Sequence, residues 1–189
     1  MSANLPPTAK RVFHGEIFDV YQWPQKMFDG RTATFERLVR RPTVDVIALM
    51  DGKIITFVQE QPLRAPYPSL AGGAIEEGEE PLAAAKRELL EESGCVSGEW
   101  EEFALYHGTS KIIYEEHVYV ARNCRRVQEQ QLDGGEKLTE RLAGFDEFLQ
   151  LARIPEFAVP LNLKFAMYEA LLDKKKKAML KRRIFGAQS

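Results

Sequence analysis

The chain has 189 residues, 44% of them hydrophobic and 29% charged, which suits one globular domain with a small appended segment and excludes a disordered or fibrous polymer. A formal net charge of -2 gives no overall attraction to nucleic acid or an anionic membrane, and no run approaches the roughly 18 apolar residues of a membrane span. Cys95 and Cys124, the only cysteines, lack CxxC spacing and residues 1–7 lack a signal-peptide pattern, so a disulfide framework is disfavoured and the expected location is the cytoplasm.

Two aspartate-glycine pairs organise the first third. Asp29-Gly30 separates 16–27 from 31–41, both rich in aromatic and β-branched residues, and reads as a two-residue hairpin turn. Asp51-Gly52 joins a strand at 43–50, dominated by Val44, Val46, Ile47 and Leu49, to a second at 53–59. Residues 61–70 hold Pro62, Pro66 and Pro68, which excludes regular helix and central strand and predicts a loop leading to Gly72-Gly73.

A helix is predicted over 81–93. Pro81 suits a first-turn position, Leu82, Ala85 and Leu89 form an apolar stripe, and Gly94 closes the segment. Strands follow at 100–108 and 115–123, then a polar loop at 125–135 and a short edge strand at 137–141. Residues 145–152 read as a helix, and 161 to about 183 as a longer one with Leu161, Phe165, Tyr168 and Leu172 on one stripe. Strands mixed with three helices give an α+β domain, layered as α/β/α.

Seven glutamates lie between Glu76 and Glu92 against only Lys86 and Arg87. Glu88, Glu91 and Glu92 are spaced i, i+3, i+4, so their carboxylates share one helix face and repel one another unless a cation intervenes. Hard oxygen ligands on a rigid element suit magnesium or manganese. Three glutamates alone are most simply a solvated face. The surrounding pattern outweighs that reading: Gly73, five residues, Glu79, seven residues, then Arg87-Glu88-Leu89-Leu90-Glu91-Glu92-Ser93-Gly94.

The stretch Gly73 to Gly94 resembles the signature of the Nudix hydrolases at every polar and glycine position. Cys95 stands where that family has an aliphatic residue, and a buried cysteine serves as a small hydrophobe. The resemblance implies a mixed-sheet α/β/α sandwich over 43–185 and the hydrolysis of a pyrophosphate by metal-activated water, with two or three Mg2+ ions. It makes Glu88 and Glu92 the principal metal ligands, Glu91 a further ligand or base, and the Gly72 carbonyl another contact. Arg87 and Glu79 pair as structural support. Gly73 and Gly78 are expected to allow positive φ and close backbone approach.

The wider chain, roughly 11–172, resembles the ADP-ribose pyrophosphatase and nucleoside-diphosphate-sugar branch. That likeness implies a homodimer built through an N-terminal antiparallel β segment, 1–42, which also contacts the base. Within it, Glu36 and Arg37 are candidate substrate residues and Phe18, Tyr21, Trp23 and Phe28 candidate stacking partners. Arg64 is the candidate for the diphosphate. Glu136 is the first candidate for the catalytic base, with Glu129 and Glu115-Glu116 as alternatives. Gly108-Thr109-Ser110 stands at the substrate-side loop but lacks the proline usual there, and Glu36-Arg37 reverses the usual order. The base and sugar therefore stay open.

Two other classes remain. One is a nucleotide-sugar sensor without catalysis, disfavoured by three intact glutamates; the other is a Nudix enzyme acting on triphosphates, dinucleoside polyphosphates or capped RNA. The basic run from Lys174 to Arg183 reads as a solvated helix end, and nucleic acid is not an expected partner.

Overall fold

The computed structural model describes residues 5–108, 111–132 and 134–186. Its strands are β1 (Lys10–His14), β2 (Phe18–Lys26), β3 (Thr32–Arg40), β4 (Thr43–Met50), β5 (Lys53–Gln61), β6 (Arg64–Ser69) and β7 (Ala71–Ala74). After helix α1 (Pro81–Ser93) come β8 (Cys95–Val96), β9 (Glu99–His107), β10 (Ile112–Ile113), β11 (Glu115–Arg122), β12 (Arg125–Arg126) and β13 (Lys137–Ala143). Helices α2 (Phe145–Leu151), α3 (Leu161–Leu172) and α4 (Lys174–Phe185) complete the chain. It divides into two compact units, one from Met1–Pro42 with Tyr106–Glu116, the other from Thr43–Leu105 with His117–Ser189.

The N-terminal unit is a four-stranded sheet in the order β1-β2-β3-β10, antiparallel except for the parallel pairing of β10 with β3. Trp23 is its buried anchor, with the Phe35 ring 6.0 Å away. The hairpin between β2 and β3 departs from a two-residue turn. Met27 N–H donates to Arg31 O and Gly30 N–H to Met27 O, leaving a three-residue loop in which only Gly30 has positive φ. A glycine closing a type I turn fits this longer hairpin.

The larger unit carries a seven-stranded sheet along β13-β5-β4-β11-β9, with β6 added to β5 and β7 to β4. The β4–β5 turn is two-residue as its sequence implies, with φ of 50° at Asp51 and 73° at Gly52. Alternation along β4 and β5 sends Val44, Val46, Ala48, Ile55 and Phe57 into one cluster with Ala84, Ala85 and Leu89 of α1. Cys95 is completely buried in the same cluster. Ile47 and Ile54 are equally inaccessible but lie outside it, and Phe148, Leu149, Leu163, Met167 and Ile184 are the fully buried side chains of α2, α3 and α4. Each such residue contributes about 1.5–3 kcal/mol by leaving water.

Three expectations are corrected here. Residues 64–69 form strand β6 and not a loop; β5 is its one partner among the named strands, a single bridge from Ser69 to Ala158 lies on its other side, and an edge strand tolerates Pro66 and Pro68 because their missing N–H groups are not needed. The long C-terminal helix is broken. Asp173 is extended at φ -129° and ψ 120°, and its carboxylate caps α4 by accepting from Lys175 N–H at 2.7 Å and Lys176 N–H at 3.0 Å. Third, the stripe Leu161, Phe165, Tyr168, Leu172 faces solvent, while Leu163, Met167 and Ala170 take the buried side of α3. Apolar residues surround α3, so periodicity could not choose its inner face.

Candidate active site

Helix α1 begins at Pro81 and ends at Gly94, whose φ of 67° lets its N–H return to Leu90 O at 2.8 Å. A Cβ at Gly94 would stand 1.9 Å from Gln128 O, so the position also admits the close approach of the following loop. That loop satisfies the helix's last carbonyls. Gln131 N–H donates to Glu91 O at 2.8 Å, the Gln130 side chain to Glu92 O at 2.6 Å, Val127 N–H to Gly94 O at 2.8 Å, and Arg126 Nη1 to Ser93 O.

On the exposed face of the same helix, Arg87 is the hub. Its Nε and Nη2 donate to the two oxygens of Glu79 at 3.0 Å each, and Nη2 also reaches Ala74 O at 3.1 Å. Its Nη1 donates to Glu88 at 2.8 Å and to Glu91 at 3.2 Å. Glu79 closes a second contact by accepting from Glu76 N–H at 3.0 Å. The Arg87 hydrogen bonds hold the Glu79 carboxyl below its usual range, while Glu79 and Glu88 raise the basicity of Arg87. One guanidinium thus ties the loop before the helix to its acidic face.

Glu92 lacks such help. It is 6% exposed, and among the described residues no cationic side chain pairs with it. Burial pushes its carboxyl up to about 9; the Gly72 N–H at 2.8 Å opposes this, and the charges of Glu88, Glu136 and Asp45 add to it. Burial also raises Glu88, against the pull of Arg87. A carboxylate enclosed with three acidic neighbours is the arrangement a hard divalent cation relieves, and its donors are all oxygen, so the residues fit magnesium or manganese. Among the described residues, no three carboxylate, imidazole or thiolate groups stand together so that they could hold a metal ion by themselves. Magnesium needs no such set, since it retains waters and takes ligands from phosphate.

The glycines divide their work differently from expectation. Gly78 has φ of 81°, but Gly73 lies in β7 opposite Val44 without positive φ. Its missing side chain makes room for Glu88: a Cβ there would stand 2.3 Å from Oε1. Gly72 pairs with Asp45, and a Cβ on it would meet Val44 O at 2.2 Å.

Glu136 reaches the same neighbourhood from another direction. It immediately precedes β13, whose pairing sets Lys137 against Glu60 of β5. Its charge acts on Glu88, Glu92 and Tyr67. The Arg64 guanidinium carbon lies over the Tyr67 ring, 3.4 Å from its centroid, with Tyr67 almost fully buried. Sequence reasoning singled out Glu136 and Arg64 but passed over Tyr67, Asp45, Gln59 and Gln61. The alternation of Gln59 and Gln61 on a strand, which points two amides to one side, was the available signal.

The remaining candidates make contacts of their own. Glu129 is exposed. In the N-terminal unit, Glu36 accepts from Gln22 at 3.0 Å, and the Arg37 guanidinium stands 5.8 Å over the Trp23 ring. Glu36, Arg37, Phe35 and Lys111 help line a cleft of about 660 Å³ there. Glu115 is 3.7 Å from His107, and Glu116 is raised by burial despite Arg40. Of the suggested stacking residues, Trp23 is buried and Phe28 fully exposed. Thr109 and Ser110 lie outside the described residues.

Comparison with known proteins agrees with this geometry. The NUDIX domain family matches residues 39–166. The chain is 28% identical over 166 residues to an ADP-ribose pyrophosphatase of Bacillus subtilis (strain 168), covering 85% of this chain and 84% of that one. It is 31% identical over 144 residues to a methanol dehydrogenase activator of Bacillus methanolicus, covering 73% and 70%. The crystal structure of an ADP compounds hydrolase superposes with a TM-score of 0.70 over 89% of this chain and 94% of the other; at 19% identity this is a likeness of fold.

Proposed function

The chain belongs to the Nudix family and is a Nudix hydrolase, and from that premise we propose that it is a magnesium-dependent pyrophosphohydrolase cleaving the diphosphate of a nucleoside diphosphate sugar, ADP-ribose or a close relative. The products are a nucleoside monophosphate and a sugar phosphate. The observation that carries this reading is the buried Glu92 carboxylate beside Glu88 on one face of α1, short of positive charge. The match to an ADP-ribose pyrophosphatase over 85% of this chain supports the substrate class.

In this reading Glu88 and Glu92 would hold two or three ions, with Glu91 and the Gly72 carbonyl as further contacts. Magnesium or manganese held there would offset the diphosphate charge and lower the pKa of water so that hydroxide is available as the nucleophile. The protein does the rest. Arg87 and Glu79 fix the acidic face to its loop, Gly73 leaves space for Glu88, and the Gly72 N–H steadies Glu92. Arg64, already seated over Tyr67, presents its donors to the diphosphate oxygens. Glu136 accepts the proton from the attacking water.

The N-terminal unit, with Glu36 and Arg37, is proposed to contact the base and to build a homodimer in the cytoplasm. Its exposed Val12, Phe13 and Ile17 supply apolar surface for association. Among the described residues no helix is long and apolar enough to cross a membrane.

The test is a turnover panel with magnesium, containing ADP-ribose, UDP- and GDP-sugars, diadenosine polyphosphates, nucleoside triphosphates and capped RNA, read as released phosphate monoester. Cleavage of a diphosphate sugar supports the reading. Preference for triphosphates, dinucleotides or capped RNA moves the substrate, and binding without turnover makes the protein a sensor.

A further inference from the structure

Glu136 is held by two amides that the proposed chemistry does not by itself explain. Gln59 Nε2 and Gln61 Nε2 both donate to its Oε1, at 3.1 and 2.8 Å. The two glutamines are two residues apart on β5, and the pairing of β5 with β6 shifts register between them. The extra residue of that irregularity lies on β6, so β5 keeps its alternation and both amides, on one side of it, reach one carboxylate oxygen contributed from beside the neighbouring strand β13. Separately, Gln130 and Gln131 fasten their own segment onto the end of α1.

Resting on the reading of Glu136 as the base, we propose that Gln59 and Gln61 are positioning residues that clamp its Oε1 and leave Oε2 to receive the proton. With both N–H donors on Oε1, that oxygen acts as an acceptor, and the incoming proton goes to Oε2. The step balances: the water oxygen forms a bond to one phosphorus, the bridging P–O bond breaks with its electron pair on the leaving phosphate, and the water proton passes to Oε2. A base confined in this way needs no reorganisation when substrate arrives, and displacement by about 1 Å costs on the order of a hundredfold in rate.

The clamp is tested with the isosteric double variant Gln59→Met/Gln61→Met, assayed on ADP-ribose with saturating magnesium and compared with Glu136→Gln and with the triple variant. The expected result is a kcat lower by about 30–100-fold, a KM within about twofold, and no further loss when the double variant is combined with Glu136→Gln. A retained kcat, a KM that rises with the fall in turnover, or a fully additive loss in the triple variant overturns the clamp. Full turnover by Glu136→Gln overturns instead the reading of Glu136 as the base, and the clamp with it. Should the double variant fail to fold, Gln61→Met, which removes the shorter bond, must show the same pattern at a smaller amplitude or the inference fails.

Discussion

Arg87 and Glu79 meet fork to fork, Nε to Oε1 and Nη2 to Oε2, each at 3.0 Å. Only arginine offers that planar pair of donors. Arg87→Lys keeps the charge but loses the fork and the contacts to Ala74 O and the acidic face. Magnesium-supported turnover should fall by roughly 10–100-fold and stability by about 1–2 kcal/mol, a drop in Tm of roughly 2–8 °C. Steady-state kinetics and thermal denaturation check both numbers; unchanged turnover would separate this pairing from the active centre.

Glu92→Gln removes the titratable buried carboxyl and keeps an oxygen to accept from Gly72 N–H. We expect hydrolysis to fall by more than about a hundredfold, beyond what loss of a supporting contact produces, while the metal-free Tm holds or rises. Circular dichroism establishes the fold, and the same preparation is assayed for turnover. An active variant removes Glu92 from the site.

The pH dependence of stability follows from the same carboxyl. Its folded value of about 9 exceeds the ordinary 4.5, so between these limits the folded state holds a proton that the unfolded state has released. Stability of the metal-free protein then declines as pH rises through that window, and Glu88 acts in the same direction. Asp19, Glu79 and Asp173, all lowered, contribute stability that is lost only as pH falls below the ordinary carboxylate range, so they leave the slope above pH 6 untouched. In EDTA the Tm should fall from pH 6 to pH 8.5, and either magnesium or Glu92→Gln should flatten the slope. An identical slope in all three samples contradicts this assignment.

Two glycines separate space from conformation. Gly73→Ala brings a Cβ to 2.3 Å from a Glu88 oxygen in backbone any residue tolerates, so magnesium affinity should weaken roughly 10–100-fold with little change in Tm. Gly78→Ala meets nothing within 4 Å but sits at φ of 81°, so it should cost about 1 kcal/mol of stability and leave magnesium affinity alone. Magnesium titration and melting curves on the pair distinguish the two; matching behaviour would mean that Gly73 is not making room for Glu88.

Much of the centre is legible in the sequence because it is local. Pro81, Gly94 and the i, i+3, i+4 glutamates place the helix and its acidic face from short-range rules alone, and Arg87 with Glu79 follows from the resemblance. What escapes is non-local or ambiguous. The pairing of β13 with β5 brings Glu136 beside residues about 75 positions earlier in the chain, and no periodicity encodes that register. The sequence has good helix propensity on both sides of Asp173, Ala170-Leu171-Leu172 before it and the lysine run after, so a capping aspartate looks like one more surface charge until its φ is seen. Pro66 and Pro68 suggest a loop because edge position is a property of the whole sheet.

The most direct test of the account is product analysis of ADP-ribose incubated with the wild-type protein, with magnesium and then with excess EDTA. The account predicts equimolar AMP and ribose 5-phosphate with magnesium and neither in EDTA. Equal turnover in EDTA, or intact ADP-ribose throughout with the metal present, would contradict it.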